Sequence, residues 1–227
     1  YISPYIMKEF KESTGPCFYV VGISHKKADA QLRGKFSLDN ESKTKLLQQA
    51  KSIGIDSLVA TSTCNRTEIY GFVRHPFELI KLLCDITEGN VQDFQSAAYT
   101  YKSSDAIHHM FRVGAGLDSQ ILGDFEIISQ LKLSAKISKK HGVLNAFLER
   151  LINAVIQASK RIKTETKLSS GATSVSFASV QYIKKTIQDI SSKNILLFGT
   201  GKIGRNTCEN LIKHTKNKHL TLINRTR

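Results

Sequence analysis

The sequence predicts an α+β fold followed by the opening of an α/β one, and three observations carry that reading. Residues 18–102 run strand, helix, strand, strand, helix, strand, the split βαβ order of ferredoxin-like domains. Residues 104–167 turn helical in composition, with helix patterns at 106–113, 125–140 and 143–163. Residues 194–224 run strand, glycine-rich turn, helix, strand, the order of one βαβ unit of a parallel sheet. Between them, residues 168–176 form the one stretch of small polar residues long enough for a domain junction. The expected domains are therefore residues 1–167, a ferredoxin-like unit with added helices, and residues 168–227, an incomplete Rossmann-type unit.

Taken in order, residues 18–24 are apolar and β-rich, and are closed by His25-Lys26-Lys27. A helix over 38–54 follows the start signals Asp39, Asn40 and Ser42 and carries Leu46, Leu47, Ala50 and Ile53 at helical spacing. Residues 57–63 and 67–73 read as a hairpin joined by Cys64-Asn65-Arg66, with Cys64 at the turn. Pro76 opens a helix over 77–85, and 97–102 is the fourth strand. The helix at 143–163 carries Leu148, Leu151, Ile152, Val155, Ile156 and Ala158. After a helix at 177–189, residues 194–198 are apolar without alternation, as in strands that a parallel sheet buries on both faces.

Composition narrows the classes. The 227 residues hold 33 Lys+Arg against 19 Asp+Glu, a net charge of +14, yet 41% are hydrophobic and 23% charged, which excludes a disordered basic tail. No apolar run approaches the roughly 18 to 20 residues of a membrane span, and residues 1–12 lack the apolar core of a secretory signal. Cys17, Cys64, Cys84 and Cys208 are scattered without a CxxC pair, so a reduced, cytoplasmic setting without a structural metal is expected. The positive charge favours phosphate-rich polymers or anionic surfaces as partners. It is densest over 128–167, where Lys132, Lys136, Lys139, Lys140, Arg150, Lys160, Arg161, Lys163 and Lys167 face only Glu149 and Glu165.

The run Gly199-Thr200-Gly201-Lys202-Ile203-Gly204 follows a strand and opens a helix with Ile203, Thr207, Cys208, Leu211 and Ile212 on one face. A second strand at 219–224 completes about 30 residues of βαβ, the context that makes a GxGxxG a dinucleotide fingerprint. The glycines let the backbone approach a pyrophosphate held at the helix N-terminus. An NAD-binding chain places an acid after the second strand; here Asn224 is followed by Arg225, Thr226 and Arg227. A guanidinium there would pair with a 2′-phosphate, so the expected cofactor is NADPH.

Cys64 sits two residues before Arg66 at the expected hairpin turn, where a cation or turn amides could activate a thiolate nucleophile. Cys17, Cys84 and Cys208 read as small apolar residues.

The decapeptide Thr61-Ser-Thr-Cys-Asn-Arg-Thr-Glu-Ile-Tyr70 resembles the active-site signature of the glutamyl-tRNA reductase family, which opens five-carbon-pathway tetrapyrrole synthesis. The resemblance continues in Gly22-Ile-Ser-His25-Lys26, in His109-Met-Phe-Arg-Val-Gly-Ala-Gly-Leu-Asp-Ser119, in Ile121-Leu-Gly123 and in Ser170-Gly-Ala-Thr-Ser-Val-Ser176. It implies that Cys64 attacks the ester carbonyl of glutamyl-tRNA to give a thioester, which hydride from NADPH reduces to glutamate-1-semialdehyde. Arg66 matches the residue that grips the substrate carboxylate, and Thr63, Asn65, Ser119 and Gln130 match other substrate contacts. His109 matches a histidine that matters for activity. Where the family commonly has Glu-Pro-Gln, this chain has Asp124-Phe125-Glu126, which are carried as substrate-proximal. The cofactor residues implied are Gly199 to Gly204 with Asn224, Arg225 and Thr226.

The resemblance further implies a longer family chain with the rest of the NADPH domain and a helical dimerisation domain, a homodimeric whole enzyme, and a downstream aminomutase as a possible partner. Two other readings stay open on the residues: a tRNA- or RNA-binding module with a vestigial Rossmann segment, and a generic NADPH-dependent dehydrogenase of small molecules.

Overall fold

In the computed structural model, residues 15–120, 122–166, 168 and 175–225 are described. Strand β1 (Cys17–Ser24) lies inside a four-stranded sheet of order β2-β3-β1-β4, formed with β2 (Leu58–Ser62), β3 (Arg66–Val73) and β4 (Ala98–Lys102). Every neighbouring pair is antiparallel, and the register sets Gly22 of β1 opposite both Glu68 of β3 and Tyr99 of β4. This is the split βαβ arrangement that the residue pattern predicts.

The sheet is covered on both faces, which explains why β1 is apolar without a break. Tyr19, Val21 and Ile23 point into a core built with helices α2 (Asn40–Ser52), α3 (Phe77–Ile86) and α4 (Val91–Ala97). Phe18 and Val20 point the other way, into a core built with α5 (Ser104–Gly114), α6 (Glu126–Lys140) and α7 (Ala146–Glu165). The period-two alternation of side chains is intact, but both sides are apolar because both are packed. Burying a side chain such as Leu83 or Met110 completely contributes roughly 1.5 to 3 kcal/mol.

Two helices escape the residue pattern. α1 (Ala30–Lys35) has six residues, none buried, and rests on a cap in which Asp29 Oδ1 accepts from Leu32 N at 2.7 Å. α4 is capped by Asn90, whose Oδ1 accepts from Asp93 N at 2.8 Å, and buries only Phe94 and Ala97 before entering β4 directly. Neither is long enough to show a helical period. Ile53, expected on the buried face of α2, is instead its C-cap and exposed. The helix expected from 143 starts at Ala146, because Asn145 caps it and Val143 O accepts from Leu58 N at 2.9 Å at the start of β2.

Beyond residue 174, α8 (Val175–Thr186) packs on α9 (Lys202–Thr215), which connects the parallel strands β5 (Ile195–Phe198) and β6 (Leu220–Ile223). The expectation of a buried strand at 194–198 is not met: Leu196 and Phe198 are 50% and 74% exposed. Among the described residues this sheet has two strands, and no second layer covers their outer side chains. Ile203 and Ile212 of α9 are likewise exposed, while Leu211 is buried. Most of the expected junction, residues 169–174, lies outside the described residues. Among those described, no helix is long and apolar enough to cross a membrane.

Candidate active site

The turn between β2 and β3 is built to present Cys64. Thr63 N donates to Arg66 O at 2.8 Å, and Thr63 Oγ1 accepts from Asn65 N and Arg66 N, both at 3.3 Å. The turn carbonyls are drawn to one side: Arg33 Nε donates to Cys64 O at 3.1 Å, and His25 N to Asn65 O at 2.9 Å. Below it, Ser62 and Thr67 share a hydroxyl–hydroxyl bond of 2.8 Å across the strands. With its backbone held on all these sides, Cys64 remains exposed as a free thiol.

The opposite wall comes from the segment between α5 and α6. Gly116 and Gly123 both have positive φ, +70° and +80°, and a Cβ on Gly116 would come within 3.0 Å of Asp124 N and O. That close fold sends Ser119 and Asp124 toward the cysteine turn. Asp124 Oδ1 accepts from Glu126 N at 3.0 Å and so starts α6, whose first turns supply Glu126, Ile127 and Gln130. Together with Ser62, Thr63, Cys64, Asn65 and Arg66 these residues line a cavity of about 260 Å³. Thr63, Cys64, Asn65, Arg66, Ser119, Asp124, Glu126 and Gln130, named from sequence over a span of 68 positions, thus meet around one space.

Phe125 and His109 do not line it. Phe125 is the N-cap of α6, with Lys163 Nζ 5.9 Å from its ring centroid. His109 is buried behind β3 and lines a separate cavity of about 370 Å³ with Lys26, Tyr101, Asp105, His108, Arg112 and Asp118. His108 borders the same space from an exposed position.

Between the two cavities lies a buried charge cluster. The Arg66 guanidinium is 3% exposed by residue, and its Nη1 donates to Glu68 Oε1 at 2.9 Å and its Nη2 to Asp118 Oδ2 at 3.0 Å. Nη2 also meets the Asp118 carbonyl, and Lys26 Nζ pairs with the Asp118 carboxylate. Glu68, fully buried, accepts further from His109 Nε2 at 2.7 Å, Tyr99 OH at 2.5 Å and Tyr70 OH at 2.7 Å. Burial alone would raise the Glu68 pKa, but the Arg66 charge and then the His109 hydrogen bond hold it down to about 2. Burial, with the Glu68 charge next, pushes both tyrosines well above their ordinary value, so they remain donors. For Arg66 burial works against the charge, but Glu68, and after it Tyr99, Tyr70 and Asp118, together more than offset it, so its pKa is raised. Glu68 and Asp118 lie inside the recognised motifs but carry no role legible from sequence; an acid two residues from an arginine on a strand was the available signal for Glu68, since both then face one side.

Residues 21–166 match the sequence family described as "Glutamyl-tRNAGlu reductase, N-terminal domain". The chain belongs to the glutamyl-tRNA reductase family. It is 68% identical over 221 residues to a glutamyl-tRNA reductase of Christiangramia forsetii, covering 97% of this chain and 53% of the relative. With one from Flavobacterium psychrophilum it shares 69% over 210 residues, covering 92% of this chain and 51% of the relative. The solved glutamyl-tRNA reductase from Methanopyrus kandleri superposes with a TM-score of 0.62 at 26% identity, over 92% of this chain and 49% of that one. The chain thus spans about half the length of the glutamyl-tRNA reductases it matches.

In this glutamyl-tRNA reductase family member, the glycine run lies away from the family-matched segment, at the end of β5. Gly199 has φ +92°, and its N–H donates to Ile223 O at 2.7 Å. A Cβ on Gly204 would collide with the Gly199 carbonyl, so helix α9 approaches the strand end only because that position is bare. Thr200 N donates to Asn224 Oδ1 at 3.4 Å, and Arg205 Nε to Thr200 O at 2.8 Å. Gly199, Gly201, Ile203 and Gly204 border an open cavity of about 550 Å³ with Leu197, Phe198 and Thr207. Lys202 opens α9 and Arg225 follows β6, while Thr226 lies outside the described residues.

Proposed function

We propose that this chain carries the cysteine-dependent chemistry of an NADPH-dependent glutamyl-tRNA reductase, with residues 1–167 as the catalytic unit and 168–227 as the first part of a Rossmann-type cofactor domain. The observation that carries the reading is the exposed Cys64 thiol in the wall of a cavity lined by Thr63, Asn65, Arg66, Ser119, Asp124, Glu126 and Gln130.

The Cys64 thiolate attacks the ester carbonyl of glutamyl-tRNA; the new C–S bond replaces the C–O bond to the terminal ribose, whose oxygen leaves with a proton. An aminoacyl ester is activated enough for a thiol to displace. Arg66, whose fork is held by Glu68 and Asp118, lends its charge to the side of the cavity that takes the carboxylate of the glutamyl group, while Asp124 and Glu126 favour its ammonium. Ser119, Asn65 and Gln130 orient the remaining polar atoms, and His109 acts from the far side of the Arg66–Glu68 pair.

The backbone around Gly199 fits a dinucleotide: a left-handed glycine, a bare close approach at Gly204 and a 14-residue helix whose N-terminus opens there. Gly199 to Gly204 would hold the pyrophosphate, Asn224 would fix the loop, and Arg225 with Thr226 would take the 2′-phosphate. Bound there, NADPH would supply the hydride for reduction of the thioester to glutamate-1-semialdehyde, with the C–S bond broken and the Cys64 thiolate released. The lysines of α6 and α7 attract the phosphates of the tRNA, and the whole reductase acts as a cytoplasmic homodimer that hands its product to an aminomutase.

The test is the mass of the purified chain after incubation with glutamyl-tRNA and no NADPH. A glutamyl adduct that maps to Cys64 and vanishes in Cys64→Ser supports the reading; an unmodified Cys64, or an adduct that persists in Cys64→Ser, overturns it.

A further inference from the structure

The Glu68 carboxylate gathers four donors from two strands and a helix: Arg66 and Tyr70 on β3, Tyr99 on β4 and His109 on α5. Three of them converge on Oε1, namely Arg66 Nη1, Tyr99 OH and His109 Nε2. Tyr70 alone takes Oε2. The gathering is possible because the central strand has no side chain where Glu68 and Tyr99 cross it. A Cβ on Gly22 would stand 2.9 Å from Glu68 Cγ and 2.8 Å from the Tyr99 Cζ and hydroxyl.

An ionised carboxylate only accepts hydrogen bonds. His109 Nε2 therefore carries the proton in its bond to Glu68, and the atom His109 turns toward other partners is Nδ1. Its ring is also held between Tyr99 and Tyr101, with centroids 5.2 and 4.9 Å away. The Arg66 guanidinium is clamped in its plane between Glu68 and Asp118. Arg66 reaches the Cys64 cavity and His109 the neighbouring one, and Glu68 is the group that both touch.

We propose that Glu68 is a positioning residue for the reaction, fixing the Arg66 fork and the His109 tautomer as one unit across the two cavities. It touches no substrate in this account; it acts through Arg66 and His109. The inference rests on the reading of Cys64 as the acylated nucleophile. Misplacing such groups by about an ångström lowers rates by about 10²-fold, and that is the effect expected when Glu68 loses its charge but keeps its shape.

The experiment compares the 227-residue chain with Glu68→Gln and Tyr70→Phe. Initial rates of Cys64 acylation by glutamyl-tRNA are read by mass, ring 15N shifts of His109 by NMR, and folding by thermal melting. Glu68→Gln should acylate about 10²-fold more slowly at saturating substrate and lose the single Nε2-protonated signature of His109. Tyr70→Phe, which touches only Oε2, should melt earlier yet acylate within about threefold of the wild-type rate. Acylation at the wild-type rate in Glu68→Gln overturns the proposal, as does an equal loss in Tyr70→Phe, which would reduce Glu68 to a structural group. Absence of any adduct in the wild-type chain would instead count against the nucleophile reading itself.

Discussion

Gly22 and Glu68 face each other across the β1–β3 register, and the missing side chain of the first is the space that the second occupies. Gly22→Ala would force its methyl into Glu68 Cγ and the Tyr99 ring, which are tied to each other by the Tyr99 OH–Glu68 Oε1 hydrogen bond. Overpacking of this kind costs about 1 to 3 kcal/mol. Urea unfolding should show a lowered midpoint with unchanged slope, and an alanine variant as stable as the wild type would refute the crowding.

The acid limb of stability follows from the same cluster. The Glu68 pKa lies near 2 in the folded chain against an ordinary 4.5, so its stabilising contribution is complete above about pH 4.5 and drains away as pH falls toward 2. Asp118 is lowered in the same sense: burial opposes its ionisation, but Lys26 and then Arg66 prevail. Urea midpoints measured from pH 6 downward should fall steeply for the wild type. Glu68→Gln should be less stable at pH 6 and show a shallower decline; parallel curves would contradict the assignment.

At the glycine loop, Gly204→Ala cannot be accommodated without moving α9 away from the end of β5, because the obstacle is the Gly199 carbonyl rather than a flexible side chain. NADPH binding, followed by nicotinamide fluorescence, should weaken by at least tenfold while Cys64 acylation stays at the wild-type rate. Retained NADPH affinity would argue against this loop as the pyrophosphate site.

Arg225→Glu addresses the 2′-phosphate. A charge-assisted hydrogen bond is worth about 1.5 to 3 kcal/mol, so the ratio of NADPH to NADH affinity should fall by roughly 10- to 100-fold. A ratio that does not move would place the phosphate elsewhere.

Lys132, Lys136 and Lys139 of α6 rim a groove floored by Ala135, Leu144, Ile152 and Ile156. If these lysines meet tRNA phosphates, each lysine-to-glutamine change should lower the slope of log affinity against log salt by roughly one. Filter-binding titrations between 50 and 200 mM salt, about the range over which such contacts dominate, provide the check. An unchanged slope in the triple variant would remove α6 from the RNA surface.

Local signals made much of this chain legible. The hairpin, its turn cysteine and the strand order were readable because alternation, turn residues and helix caps act within a few positions of one another. The cavity residues were readable for another reason: the segments around Cys64 and Ser119 resemble a family whose members bring them together. The short helices α1 and α4 were not, since six or seven residues held by one Asx cap leave no period to detect. The exposure of Leu196 and Phe198 was not either, because an apolar run states what a strand could bury and not what lies against it.

By itself the sequence determined the split βαβ order, the position of a cysteine at a turn, and a glycine loop between a strand and a helix. Tertiary structure alone decided that Glu68, unremarked in the middle of a strand, would collect Arg66, His109, Tyr70 and Tyr99, and that His109 would stand behind the cysteine cavity rather than in it. The reason is the low dielectric of the packed sheet. A buried carboxylate must find donors wherever strand register and helix packing bring them, and together these join residues that sequence separates by up to 41 positions.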